Sequence, residues 1–399
     1  MHKNIFIIFI TLILTLKFFN LDTNAQIKIK AVGDIMLGSV TPKEILPSEN
    51  GNEFVQSAAH LLDVADIVFG NLEGSFITDE MEPEKCKEAS RKRATCYEFG
   101  MPDYLAASLK ELGFNVMNQD NNHSEDYGDE GYLFTQEKLE ELEIKFMPKK
   151  GLAEFNINNV RIALASFGYS ENSHNISDLE NARIVIGNLN EKYDIIIISF
   201  HGGAEGRDAL HTKDSTETFL GENRGNVIAF AHTVIDAGAD MVIGHGPHVL
   251  RAMEVYKNKL IAYSLGNFLT YGNMNISGIN GVNVILQAEL ENSTGDFLRG
   301  KLISMEQVGN GIPSLDETNE GFHLIKRLTS EDIPKSHLLF IDSVRIYNSE
   351  IITPPIKPMI SDNSIDVFSD GLKDIEIQFN EQDIEFILEG MNFKKPTLK

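Results

Sequence analysis

Met241-Val242-Ile243 runs straight into Gly244-His245-Gly246-Pro247-His248. A short apolar run of strand character stops at a glycine-rich turn, and the turn carries two imidazoles three residues apart. Paired histidines at the end of a buried strand suit the holding of a metal ion above a sheet edge. Four other apolar runs end in metal-type side chains: Val32-Gly33-Asp34, Gly70-Asn71-Leu72-Glu73, Asn121-Asn122-His123 and Ser199-Phe200-His201. A lone histidine on a turn is most often solvated or hydrogen-bonded. Five such endings in one chain point to a shared centre.

Around these endings, runs of strand length alternate with helical patterns. Strands are expected at 27–32, 67–69, 114–117, 160–165, 195–200, 241–243, 260–263 and 282–290. Several are rich in Ile and Val with little alternation, as in strands buried on both faces. Residues 54–65, 102–112, 132–142 and 227–237 place apolar residues at helical spacing, with Gly113 and Gly238 where C-terminal caps belong. The alternation predicts an α/β architecture with helices covering the sheet faces. In such folds ligands gather at the carboxyl ends of the strands, where all five endings fall.

Residues 1–25 read as an export signal. Lys3 is the positive start, 5–16 is an unbroken apolar run, and Thr23-Asn24-Ala25 offers small residues for cleavage before Gln26. An uncleaved anchor is the alternative; the run is short of the roughly 20 residues a span needs, and Lys17 interrupts it. No other stretch reads as a span, so the mature chain is expected in the periplasm or outside the cell. The formal net charge of −24 disfavours a phosphate backbone, hence nucleic acid, as a partner. An anionic substrate would need a local positive centre, which a metal could supply. Cys86 and Cys96 are the only cysteines and lie close together in a polar loop. In an exported chain a disulfide is their simplest reading.

Residues 26–335 are expected to form the functional domain, and 336–399 a C-terminal extension in which Pro354, Pro355 and Pro358 cluster. The polar stretch from His201 to Gly225 is too long for an ordinary connection and reads as a substrate-facing lid. Ala262-Tyr263-Ser264-Leu265-Gly266 resembles a nucleophile elbow, but the residues after it do not favour the helix an elbow requires, so Ser264 is read as structural.

The ordered set of motifs resembles the CapA family of poly-gamma-glutamate capsule synthesis. It runs from Gly33-Asp34-Ile35-Met36-Leu37-Gly38 through Gly70-Asn71-Leu72-Glu73-Gly74, Asn121-Asn122-His123 and His201-Gly202-Gly203. It ends with Gly244-His245-Gly246-Pro247-His248 and Tyr263-Ser264-Leu265-Gly266-Asn267-Phe268. That family in turn looks like a branch of the calcineurin-like metallophosphoesterases. The resemblance implies a four-layer α/β/β/α sandwich carrying one or two divalent transition-metal ions, whether manganese, iron or zinc. Asp34 matches the first metal-binding Asp, and Glu73 stands where a bridging Asp is usual. Asn122, His201, His245 and His248 match the remaining ligands, and His123 matches the catalytic His. Asp126 could fix the tautomer of His123, although capping the next helix is an alternative. The chain departs from the pattern in having Met36 where a ligand His is usual. It also has Gly202 where relatives often carry a bulky aromatic, a position expected to shape the cleft.

Asn71, Arg207 and Arg224 are candidate substrate contacts, the arginines because guanidinium pairs with carboxylate or phosphate in a bidentate way. Loop-tying by Asn71 and simple solvation of the arginines are the alternatives. Two functions follow from the resemblance. One is an exported metal-dependent hydrolase that attacks a phosphoester or a gamma-glutamyl amide of an envelope polymer through an activated water. The other is a non-catalytic, metal-containing envelope protein that binds or guides a polyanionic polymer. The sequence leaves the oligomeric state open.

Overall fold

A computed structural model describes residues 26–93, 96–170, 172–341 and 349–352. The export signal expected over 1–25, and the extension beyond Ile352, lie outside the described residues. In chain order the strands begin with β1 (Gln26–Met36), β2 (Ile67–Leu72), β3 (Ser75–Ile77), β4 (Gly100–Pro102), β5 (Val116–Asn118), β6 (Lys145–Met147) and β7 (Leu152–Ile157). Next come β8 (Val160–Phe167), β9 (Ile195–His201), β10 (Glu217–Phe219), β11 (Glu222–Gly225), β12 (Met241–His245), β13 (Met253–Tyr256) and β14 (Lys259–Ala262). The last are β15 (Asn267–Thr270), β16 (Val282–Glu291), β17 (Phe297–Val308), β18 (Ile312–Leu315), β19 (Leu339–Ile341) and β20 (Ser349–Ile352). The α-helices are α1 (Asn52–Leu62), α2 (Glu88–Lys92), α3 (Ala107–Leu112), α4 (Gly128–Glu141), α5 (Leu179–Asn190), α6 (Val227–Asp236) and α7 (Glu320–Asp332).

Two large sheets result. One runs β19-β20-β17-β16-β1-β2-β5-β6, with β15 also on β1 and β18 on β17. The other runs β13-β14-β12-β9-β8-β7. Every strand expected from the sequence is present, and so are the four expected helices, with ends shifted by a few residues. The segment over 102–112 opens as a 3-10 turn, Asp103–Ala106, before becoming α3. Gly113 caps α3 in the left-handed region, at φ 100°. The chain is mixed α/β.

Alternation along β1 explains its place. Ile27, Ile29 and Ala31 face a core shared with Leu164, Ile198, Val242 and Leu260 of the second sheet. Val32 and Ile35 join a different cluster with Phe54, Ala58 and Leu62 of α1 and Leu109 and Leu112 of α3. Helices α5 and α6 bury Ala182, Ile186, Phe230 and Val234 against the second sheet. Burying each of these larger side chains contributes on the order of 2 kcal/mol.

The register carries the ligand-type residues to one edge. β1 and β2 are parallel with Asp34 opposite Asn71, and Asn71 is opposite Asn118 of β5. In the other sheet, parallel β9 and β12 set His201 opposite His245. Gly33 permits the tightest approach. A Cβ there would lie 1.8 Å from the carbonyl oxygen of Gly266, which accepts from Asp34 N at 2.9 Å. A strand, β15, follows Ser264 where an elbow would need a helix, and the Ser264 hydroxyl accepts from Gly266 N. Beyond residue 335, β20 pairs antiparallel with β17 and so extends the larger sheet.

Candidate metal centre

Strand ends, and the turns that follow them, deliver the site. Asp34 lies one residue before the end of the pairing of β1 with β2, Glu73 follows β2, and His201 and His245 are the last residues of β9 and β12. All four are buried to 1 % exposure or less. Asp34, Glu73 and His201 each offer a ligand atom, all within 4.8 Å of one another. Glu73 Oε1, Asn122 Oδ1 and both ring nitrogens of His201 and His245 have no hydrogen-bond partner among the described residues. Leaving buried polar atoms unpaired costs about 1–3 kcal/mol each. So many in one place fit a missing partner that accepts nitrogen and oxygen donors, and a divalent metal ion is such a partner.

The surroundings hold these side chains in place. Asn71 Nδ2 donates to Asp34 Oδ1 at 2.8 Å and to Glu73 Oε2 at 2.9 Å. Its own oxygen accepts from Asn118 and Asn121. Asn71 is fully buried and ties the two carboxylates together, which is the loop-tying role rather than a cleft contact. His248, at a left-handed φ of 56°, sets Nδ1 2.9 Å from Asp34 Oδ2 and Nε2 3.6 Å from Glu73 Oε1. Burial disfavours its charge, but Glu73 and Asp34 outweigh that and push the imidazole up to about 10. Burial raises Glu73 well above the carboxylate range, with Asp34 adding to the effect. Burial would raise Asp34 too, yet the imidazoles of His245 and His248 hold it well below that range. Burial drives His201 well below the ordinary imidazole value, so the uncharged, ligating form prevails. Gly246 makes room for it, since a Cβ there would meet His201 Nε2 at 3.2 Å.

Beside the ligands, His123 Nδ1 lies 2.7 Å from Asp126 Oδ2. Asp126 also accepts from Phe99 N and pairs with Lys85 Nζ at 2.9 Å. Asp126 therefore orients His123, while α4 starts beyond it with Tyr127 as its N-cap. Lys85 also donates to Asn122 O at 2.8 Å. Burial lowers the His123 pKa; Lys85 lowers it further and Asp126 opposes. Lys85 carries no sequence signal except its place next to Cys86. The Cys86–Cys96 disulfide is present, with Cα atoms 5.9 Å apart.

A cleft of about 570 Å³ opens over this centre and is lined by Lys85, Asn122, His123, His248 and Arg224, among others. Its wall comes from the 201–225 segment, through Glu205, Phe219, Leu220 and Glu222. That segment is pinned rather than loose. The fully buried Arg251 makes a two-pronged pair with Glu217 of β10, at 2.8 and 2.7 Å. Arg224 lines the cleft, but its guanidinium is paired with Glu205 at 2.7 Å and stacked 4.1 Å from the Tyr169 ring centre. Arg207 is exposed on a 3-10 turn and does not line the cleft. Gly202 does not line it either. A Cβ there would run into Ile176 Cδ1 at 2.3 Å, so this position is set by packing under the hairpin, contrary to the expectation that it shapes the cleft. Met36 is fully buried in the apolar cluster shared with α1. Glu205, which reaches 4.0 Å from His248 Nε2, and Tyr169 come from irregular segments and left no trace in the sequence pattern.

Two of the chain's curated relatives are similar to it in sequence. The capsule biosynthesis protein CapA of Bacillus anthracis is 29 % identical over 259 residues, 62 % of this chain and 60 % of that protein. The PGA biosynthesis protein CapA of Bacillus subtilis (strain 168) is 27 % identical over 256 residues, 60 % of this chain and 62 % of that one. The chain thus spans about three fifths of the length of these relatives. Among solved structures, a purple acid phosphatase from yellow lupin seeds aligns with 74 % of this chain and 55 % of its own at 10 % identity and a TM-score of 0.35, too loose a likeness to bear on function. The family described as bacterial capsule synthesis protein PGA_cap matches residues 28–271, more than half of the chain, and the chain belongs to that family.

Proposed function

We propose that this chain is an exported metal-dependent hydrolase of envelope-polymer metabolism, cleaving a phosphoester or a gamma-glutamyl amide in material of the poly-gamma-glutamate type. The observation that carries the reading is the set of unpartnered buried donors on Glu73, His201 and His245 beside Asp34, with the unpartnered Asn122 lining the open cleft above. The family and the names of its CapA relatives support the polymer. The two clusters on either side of β1 support the α/β/β/α layering of metallophosphoesterases. Asp34, Glu73, Asn122, His201, His245 and His248 would hold the metal. When bound, a divalent ion there would lower the pKa of water and polarise the carbonyl or phosphoryl oxygen of the substrate. Asn71 keeps the two carboxylates together, and His123, fixed by Asp126, passes a proton to the leaving group.

The test combines elemental mass spectrometry with turnover. The wild type should purify with one or two equivalents of manganese, iron or zinc. His201→Ala and His245→Ala should each lose metal and drop turnover by roughly 10³-fold or more. Full activity in either variant would sink the reading.

Met36 favours a second reading. Where a ligand His is usual, this chain places a thioether in the apolar cluster, so one metal position is short of a donor. On this reading the protein binds polyanionic polymer through its metal and cleaves nothing. Titration calorimetry with poly-gamma-glutamate would then show metal-dependent heat with no change in polymer length.

A further inference from the structure

The cleft does not stop at the candidate reacting centre. Lys85, Asn122, Tyr169 and Glu222 line the cleft of about 570 Å³ and also an adjoining one of about 710 Å³. Each has the size that encloses a small ligand, roughly 300–1,000 Å³. Leu220, 85 % exposed, stands at the rim of the first lobe, and the exposed Ser177 at that of the second. Asn122, whose buried Oδ1 has no partner, belongs to both. His123 and His248 line the first lobe and Asn122 lines both, so the candidate centre borders the passage from one lobe to the other. Three lysine and arginine side chains mark the groove: Arg224 in the first lobe, Lys149 in the second and Lys85 in both. Each already pairs with a carboxylate, Glu205, Glu125 and Asp126 respectively.

We infer that the groove takes an anionic polymer across its middle, one stretch of chain in each lobe, so that cleavage falls on internal bonds. The cleavage rests on the hydrolase reading above; the straddled binding rests on the groove alone. A site that trims chain ends closes beyond the reacting bond, whereas here the space continues past it. Hydrolysis of an internal bond consumes one water. Its hydroxyl joins the acyl carbon or phosphorus, its remaining proton goes to the departing amine or alcohol, and two shorter chains leave.

The experiment uses the intact protein and a length ladder of fluorescein-labelled gamma-glutamate oligomers. Anisotropy gives affinity, and size-exclusion chromatography follows chain length in the same samples. Affinity should rise with length until both lobes are filled. Ser177→Trp, which crowds the second lobe, and Leu220→Glu, which sets a carboxylate at the first, should each weaken the longest oligomer about tenfold. Both positions are exposed, and a thermal melt checks that the variants fold. Mean length should fall well before the shortest products accumulate. If only one variant weakens binding, or neither does, or if monomers appear from the start, the straddled mode is overturned. Weakening by both variants with no turnover would keep the groove and overturn the hydrolase reading.

Discussion

At the scale of single residues, backbone crowding and ligand placement are the same problem. Asp34 points into the site because β1 can press against Gly266, and only the missing side chain of Gly33 allows that. An alanine Cβ would sit 1.8 Å from a carbonyl oxygen that has no room to retreat between two paired strands. Gly33→Ala should cost about 3 kcal/mol or more in urea unfolding, and metal binding should fall with it. Asp240, at the head of β12, is a second residue whose environment sets a measurable sign. Burial raises its carboxyl above the ordinary value, although Lys259 Nζ at 2.7 Å and Ile196 N at 2.8 Å favour the charged form. A carboxyl with a raised folded-state pKa contributes stability that is present below its unfolded pKa and lost as pH rises through the folded one. Stability of the wild type relative to Asp240→Asn should therefore be greatest below about pH 4 and decline as the pH rises above it. A difference that stays flat with pH would contradict the burial argument.

At the scale of elements, the disulfide loop acts as an arm that holds Lys85 against Asp126 and Asn122. Cys86 N donates to Glu98 Oε1 at 2.7 Å, and Phe99 N donates to Asp126 Oδ2, so both ends of the loop are tied toward the site. Replacing both cysteines by serine removes a crosslink ten residues apart in sequence. The chain-entropy estimate for such a short loop is roughly 3 kcal/mol. Amide exchange should accelerate at Cys86 and Phe99 and stay slow in β9 and β12. The elements also show what sequence reading can and cannot find. β9 and β12 are legible because Ile195–Ile198 and Met241–Ile243 are buried on both faces and their strands end on histidines. β17 is not, because its long run FLRGKLISMEQV mixes exposed and buried positions without a steady period of two. α5 buries only Ala182, Ile186 and Leu189, a stripe too narrow to stand out, and its cap, Asp178, follows an irregular segment. The ligand-type residues were readable because each ends or closely follows an apolar run. Lys85 and Glu205 were not, because loops that carry chemistry have no hydrophobic period.

At the scale of the whole molecule, net charge and proposed ligand oppose one another. The chain carries 59 acidic residues against 35 lysines and arginines. Its long-range field repels a polyanion, while the lysines and arginine of the groove and the proposed metal attract only at close range. Salt separates the two effects by distance. The screening length falls from about 10 Å at 0.1 M to about 3 Å at 1 M, so salt removes the long-range repulsion before it removes contacts inside the groove. A protein that holds a polyanion on a broad basic surface loses affinity steadily as salt rises. This protein should do the opposite over the lower range. Association of poly-gamma-glutamate, followed by stopped-flow anisotropy, should accelerate severalfold between about 0.02 and 0.2 M sodium chloride. Dissociation should change little over that range, because the contacts that hold the chain are short. Leu220→Glu should steepen the salt dependence by adding one more repelling charge at the rim. An association rate that falls with salt would mean that an exposed basic surface, rather than the groove, meets the polymer first.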